Sequence, residues 1–357
     1  MPPYLLVKAI DAFRTMLLEL NRKLFPANVV LYEQFQSLWI LPSLYVAARL
    51  DAAEHLRGGP LTAGELAARC KADPDALNRV MRALASLGIF RKLRDGRYAL
   101  NGRARPLLNG KGSLRHMLIH HLGPVNWQNI GALYNTVLTG RESFSAAFGK
   151  DIYTWLREHP EEYAVFDRSM SNLSELGLGP LLSSYSFRKF KSIADIGGGE
   201  GFLLSSIVRS NPGIEGTLFD LPEVLQKASA YLEEQGMGPM IRLVPGDFLE
   251  HIPVKAEAYL LKNVLHNWND EQSARILSNI AHSMPDRAKI LVFDMIVPET
   301  GGSPTPSLLD IQMLVSFEHG RERTEAEFRK VVSMAGLRIN RILPTIAPIS
   351  IIEVTRP

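Results

Sequence analysis

The stretch "DIGGGEGFLL" (195–204) ends an apolar run with an acid, three adjacent glycines and the start of an apolar helix pattern. Glycine lets a backbone come close to a ligand, and the following helix turns its free N–H groups toward it. Nicotinamide and flavin enzymes use such a turn too, so the turn alone does not name the ligand. Two residues narrow the choice. Phe202 stands where a dinucleotide fingerprint beginning at Gly197 needs a small side chain. Asp195 lies two residues before the first glycine, where a carboxylate repels a pyrophosphate and suits a ligand carrying an ammonium group.

Further acids follow at the ends of later apolar runs. Asp220, with Leu221 beside it in "FDLP", falls about twenty residues after the turn, where an acid bonds ribose hydroxyls. In "GDF", Asp247 offers an acceptor for an adenine amino group, and Phe248 a ring to pack on the base. Asp195, Gly197, Gly198, Gly199, Asp220, Leu221, Asp247 and Phe248 together describe a site for an adenosine bearing an amino acid, which is S-adenosylmethionine. The stretch "LKNVLHNWNDEQ" (261–272) raises a different question, because His266 follows a buried strand pattern, with Trp268 and two acids close behind. Standing alone, such a histidine caps a helix or sits at a core edge. The cluster "HMLIHHL" (116–122) has no carboxylate at ligand spacing and reads as core or pocket lining, so no metal site is expected.

The elements that must carry these residues follow from periodicity. From residue 188, "KSIADIGGG", "GIEGTLFDLP", "MIRLVPGDF", "AYLLKNVLHNW" and "AKILVFDMIVP" are apolar runs that each end in Gly, Asp or Pro. Helical patterns at 201–210, 222–235 and 270–284 separate most of them, which predicts an α/β fold with a doubly wound, Rossmann-like parallel sheet. The link between "LRINRIL" and "ISIIEVTR" is too short for a crossover helix, so the last two strands are expected to form an antiparallel hairpin.

The N-terminal half reads as helical. Thr62 and Glu65 match a capping box, and Asp73-Pro74 opens a helix that Gly88 ends. Leu77, Val80, Met81, Leu84 and Leu87 recur at helical spacing as one apolar face, and "IFRKLRDGRYAL" reads as two short strands around Asp95-Gly96. Two helices and a hairpin make a winged helix. The stretch 29–56 is apolar nearly all round, which predicts burial on more than one side and a partner subunit. The expected division is a helical and winged-helix dimerisation domain at 1–105, a helical linker and substrate-pocket region at 106–187, and a catalytic domain at 188–357.

Composition excludes several classes. Forty basic against 37 acidic residues leave a net charge of +3, which gives no electrostatic case for nucleic acid or an anionic membrane as partner. The outward Asn78, Arg79 and Arg82 of the second winged-helix helix are too few for a DNA-reading patch. The single cysteine, Cys70, rules out an internal disulfide and fits a reducing, cytoplasmic setting. No apolar run approaches the roughly 18 residues of a membrane span.

The combination of "DIGGGEG", "FDLP", "GDF", "LKNVLHNWNDE", "FDMIVPE" and "GRERTEAEF" resembles class I S-adenosylmethionine-dependent small-molecule O-methyltransferases, the group of plant caffeate and bacterial polyketide and phenazine enzymes. The resemblance covers nearly the whole chain. It implies a homodimer intertwined through the winged-helix half, and a bacterial secondary-metabolite or antibiotic pathway. It also implies transfer of a methyl group to a hydroxyl of an aromatic or polyketide-type molecule, with His266 as general base flanked by Asp294 and Glu322. Lys262 matches a lysine beside the cofactor, and Trp127, Met170 and Met313 match substrate-pocket positions. The plant enzymes usually carry glutamate where this chain has the shorter Asp294, and Phe317 replaces a polar substrate contact, so substrate identity does not transfer. Relatives that bind the cofactor but support decarboxylation or hydroxylation, and a winged-helix DNA-binding regulator, are the competing readings. Retention of His266 and both acids opposes the first, and the near-neutral charge opposes the second.

Overall fold

The computed structural model describes the backbone of residues 4–345 and 347–357, and the side chains of these except 4–11, 175 and 176. The chain divides into two compact units, one of residues up to 131 with 153–176, the other of 132–152 with 177–357.

In the first unit, helices Tyr4–Lys23, Ala27–Phe35 and Ser37–Arg49 lead into the winged-helix segment. The capping box forms as expected: the Glu65 amide donates to Thr62 Oγ1 at 3.2 Å, and the Thr62 amide donates to Glu65 at 2.7 Å. Asp73 caps helix Pro74–Ser86, accepting from the Ala76 amide at 2.8 Å. Strands β1 (Arg91–Lys92) and β2 (Tyr98–Ala99) pair antiparallel as the wing. Leu77, Met81 and Leu84 enter the core with Leu66, Phe90 and Tyr98, but Val80 is only half-buried and Leu87 is 42% exposed. Leu87 is the cap residue beyond the last helical turn, where the apolar stripe no longer faces the core. The expected burial of 29–56 holds only for its C-terminal part. Ala47, Ala48, Ala52, Ala53 and Leu56 are buried, whereas helix Ala27–Phe35 buries no residue and Leu31 and Trp39 are 72% and 69% exposed. Apolar surface of this extent calls for a second chain. The aromatic and histidine cluster is packed: His120 sits edge-on to Phe166, and burial depresses His120 to about 3 and His121 to about 4, so both are neutral.

The second unit is built on a sheet of β3 (Ser192–Ile196), β4 (Glu215–Asp220), β5 (Ile241–Pro245), β6 (Ala258–Lys262), β7 (Lys289–Val297), β8 (Arg323–Thr324), β9 (Arg338–Pro344) and β10 (Ile349–Thr355). Its order is β5-β4-β3-β6-β7-β10-β9, with β8 paired to the end of β7. Strands β3 to β7 run parallel, and β10 lies antiparallel between β7 and β9, so the short final connection does form a hairpin. Each central strand is apolar on both faces because helices cover both. On β6, Tyr259 and Leu261 pack into one core with Ile276, Ile280 and Phe328, while Ala258 and Leu260 pack into the other with Leu204, Ile207 and Leu232. The alternation stops at Lys262, where the strands present their carboxyl ends.

Glu353 on β10 shows how the antiparallel edge is held. Fully buried, it accepts from Tyr185, Lys289 and Asn340 at 2.6 Å each and from Arg341 at 3.2 Å. Burial alone would raise this carboxyl, but those donors outweigh it and hold it at about 2. Its stabilising contribution is therefore complete above a pH of about 4.5 and lost as the pH falls toward 2. Glu353→Ala, which strands the donors, is expected to cost about 3–5 kcal/mol in urea unfolding at pH 7. The difference from wild type should shrink as the pH is lowered from 5 to about 3.

Candidate active site

The glycine turn leaves β3 at Ile196. Gly197 has φ +67°, and its amide donates to the Phe219 carbonyl of β4 at 2.8 Å. A β-carbon at Gly197 would come within 3.2 Å of both Val264 and Phe248, and one at Gly198 would lie 2.5 Å from Leu218 and 2.6 Å from the Asp195 carboxyl. The turn is thus pressed against its surroundings on the protein side. Helix Phe202–Ser210 begins directly behind it. Asp220 ends β4 and accepts from the Gly199 amide at 2.9 Å and its neighbour Leu221 at 2.8 Å, so the carboxylate is tied to the glycine turn. Asp247 accepts from the Leu249 amide at 2.7 Å, and Phe248 stands edge-on to Trp268 with ring centres 5.7 Å apart.

Asp195 is 1% exposed, and neither carboxyl oxygen has a hydrogen bond of normal geometry. Burial raises it to about 7 against the opposing pull of Lys262 and the Leu204 amide. Lys262, at the end of β6, is pushed down by burial and drawn back by Asp195 and Asp294. An orphaned buried carboxyl beside a glycine cradle fits a cofactor whose ammonium group supplies the missing partner.

The histidine question has a geometric answer. After Lys262, Asn263 takes φ +53° and donates to the Phe293 carbonyl at 3.1 Å, which turns the chain into a 3-10 turn, Leu265–Asn267. Helix Asp270–Ser283 is capped by Asn269, which accepts from the Gln272 amide at 2.8 Å, so His266 is not the cap. His266 Nδ1 lies 2.8 Å from Glu322 Oε1. A carboxylate there fixes the proton on Nδ1 and leaves Nε2 as the free basic nitrogen. Burial lowers the imidazole, but the Glu322 hydrogen bond and the charges of Asp294 and Glu322 outweigh it and Lys262, and the group titrates above its usual value.

Asp294 behaves differently from Glu322. It sits on β7, fully buried, with no hydrogen bond to either oxygen. Burial drives it up to about 7, against the pull of His266. It acts on the histidine through space only. Glu322 itself is held by Asp310, whose carboxylate accepts the Glu322 amide at 2.8 Å. Met313 is buried in helix Thr305–Ser316, and a β-carbon at Gly320 would come within 3.1 Å of its methyl carbon. Trp127 and Met170 are half-buried residues of the other unit, on helices Pro124–Gly131 and Pro160–Ser184. Sequence reasoning missed Asp310 and Arg323. Arg323 is 1% exposed although it sits in a run of charged residues, where an arginine reads as surface.

A mixed sheet of this strand order, parallel from β3 to β7 and closed by an antiparallel hairpin, with acids and a glycine turn at its carboxyl edge, is that of a class I methyltransferase. The chain belongs to the O-methyltransferase family: the O-methyltransferase domain matches residues 130–338 and the O-methyltransferase dimerisation domain matches residues 32–110. It is 34% identical to the phenazine O-methyltransferase PhzM of Lysobacter antibioticus, over 92% of this chain and 96% of that one. It is also 34% identical to the mitomycin biosynthesis 6-O-methyltransferase of Streptomyces lavendulae, over 90% and 92% of the two chains. The crystal structure of CalO1, a methyltransferase in calicheamicin biosynthesis in its S-adenosylhomocysteine-bound form, matches with a TM-score of 0.82 at 31% identity, over 93% of this chain and 98% of that one. The protein is therefore an S-adenosylmethionine-dependent O-methyltransferase and a homodimer. Among the described residues, no helix is long and apolar enough to cross a membrane, and no group of three metal-ligating side chains occurs.

The closeness at Gly198 gives a test of the cradle. Gly198→Ala should lower the melting temperature, overpacking costing about 1–3 kcal/mol, and should weaken S-adenosylhomocysteine binding measured by calorimetry. Gly64→Ala, where nothing lies within 4 Å of an added β-carbon, serves as control and should leave binding unchanged.

Proposed function

We propose that the protein methylates a phenolic hydroxyl of an aromatic or polyketide-type small molecule, with His266 Nε2 taking the hydroxyl proton. The observation that carries the reading is the 2.8 Å pairing of His266 Nδ1 with the buried Glu322 at the carboxyl edge of the sheet. An imidazole of pKa about 6.5 and a phenol of about 10 differ by roughly 5 kcal/mol for proton transfer. Glu322 and Asp294 narrow that gap, since both carboxylates favour the imidazolium that forms. As the acceptor loses its proton, the positive charge rises on a ring already bonded to Glu322, and little has to reorganise.

S-adenosylmethionine, when bound, supplies an electrophilic methyl group on a cationic sulfur. Asp195 would hold its ammonium group, Asp220 the ribose hydroxyls, and Asp247 and Phe248 the adenine, with Gly197, Gly198, Gly199, Leu221 and Lys262 assigned to the rest of the cofactor site. His266 then aligns the acceptor oxygen as well as deprotonating it, and alignment alone supplies a large part of such a barrier. No residue is needed to carry the methyl group. Trp127, Met170 and Met313 are assigned to the acceptor pocket. The names of the phenazine and mitomycin relatives support a secondary-metabolite acceptor from antibiotic biosynthesis.

His266→Ala is expected to lower kcat by about 10²–10⁴-fold while S-adenosylhomocysteine affinity stays nearly unchanged. In the wild type, kcat should rise with pH along a limb above the usual histidine value, because Glu322 holds the imidazole up. Asp294→Asn should cost less than Glu322→Gln, as only Glu322 bonds the ring. A folded His266→Ala enzyme with wild-type turnover would remove the base from this residue.

A further inference from the structure

Arg323 follows Glu322 directly and is the largest fully buried side chain among the described residues. Its guanidinium donates to the Leu265 carbonyl at 2.8 Å, the Trp268 carbonyl at 2.7 Å, Ser273 Oγ at 3.2 Å and Asp270 Oδ1 at 3.1 Å. Leu265 and Trp268 bracket His266. The His266 carbonyl itself accepts from the Arg321 amide at 2.8 Å. The residues on either side of Glu322 thus hold three carbonyls of the turn that carries the histidine.

Burying a cation costs several kcal/mol unless its donors are satisfied. A short 3-10 turn leaves buried carbonyls that need partners. One arginine meets both demands, because its planar fork reaches several acceptors in fixed geometry, which a lysine ammonium cannot do. Asp270 is also gripped by Lys330 at 3.0 Å, so the clamp is tied to the start of the following helix. At its other end Arg323 pairs with Ile296 on β7, two residues beyond Asp294.

We propose that Arg323 is the positioning residue of this active site: it locks the Leu265–Trp268 turn against β8, so that His266 Nδ1 meets Glu322 and Nε2 is aimed before any ligand arrives. Arg323 itself bonds neither the imidazole nor the Glu322 carboxylate. The inference rests on the reading of His266 as base, and it names what makes that base work.

A general fold-stabilising role and a positioning role differ in the pH profile. The charged groups acting on His266 are Lys262 at the end of β6, Asp294 on β7 and Glu322 before β8. If the clamp loosens, the Glu322 hydrogen bond weakens and the limb of the kcat profile moves to lower pH. Loss of a nearby cation alone would move it the opposite way. The experiment compares wild type, Arg323→Lys, Arg323→Met, Glu322→Gln and His266→Ala for kcat, acceptor KM, pH profile, S-adenosylhomocysteine affinity and melting temperature.

For Arg323→Lys, kcat should fall about 10- to 100-fold, the scale set by small misplacements of a reacting group. KM should change less than kcat, cofactor affinity should stay within about twofold of wild type, and the limb should shift to lower pH, as in Glu322→Gln. Arg323→Met should lower kcat more strongly, while the lost cation offsets part of the limb shift, so the shift is read from Arg323→Lys, which also decides if Arg323→Met fails to fold. An unshifted or upward-shifted limb in a folded Arg323→Lys enzyme would overturn the proposal, as would unchanged kcat. If His266→Ala keeps full turnover, the base reading has failed. NMR titration of the His266 imidazole then tests the clamp by itself: its pKa must fall in Arg323→Lys, and an unchanged value would overturn it.

Discussion

The His266–Glu322 pair sets the terms for the rest of this structure, because it joins a half-buried imidazole to a carboxylate almost wholly withdrawn from water. Glu322 is 3% exposed and Asp294 fully buried, with Lys262 and Arg323 beside them. Removing such groups from water costs several kcal/mol each, and the loss is recovered only where partners are placed closely. A rigid frame is therefore a requirement. The parallel strands supply it, ending in register so that Lys262 on β6 lies opposite Phe293, the neighbour of Asp294 on β7. The antiparallel β10 packs against β7 alongside Asp294 and is itself pinned through Glu353. Stability of the edge and geometry of the site are the same problem.

The acids are not equivalent. Glu322 and Asp220 accept hydrogen bonds within the chain, whereas Asp195 and Asp294 lack one of normal geometry and are driven by burial to about 7. The first two shape the protein, and the other two are left for charge that arrives. In the proposed reaction that charge is the cofactor's ammonium at Asp195 and the proton gained by His266 at Asp294. A group poised near neutrality responds to a neighbouring cation with little cost, since ionisation and attraction reinforce each other.

Much of this was legible in the sequence because it depends on local rules. Glycines and acids at the ends of apolar runs marked the carboxyl edge, and the hairpin followed from a connection too short for a helix. The caps at Thr62 and Asp73 depend on neighbouring residues only, whereas the cap at Asn269 emerged from the structure and displaced the simplest reading of His266. What depends on distant contacts was not legible. Arg323 looks like one more charge in "GRERTEAEF", and its burial is visible only once the His266 turn lies against β8. Leu87 fits the apolar stripe by spacing, yet falls beyond the end of its helix. Leu31 and Trp39 read as core by their apolar surroundings, yet stand exposed on the single chain.

The central claim is that His266 removes the acceptor proton, and acceptor acidity probes it most directly. Turnover of wild type and His266→Ala would be measured over a series of phenols of similar shape and decreasing pKa. With a base at His266, the wild-type rate depends weakly on phenol pKa and the variant's rate rises steeply as the phenol becomes more acidic, so the two lines converge for phenols that ionise unaided. Parallel lines, with the same deficit for every phenol, would contradict the account and leave His266 with a role in alignment only.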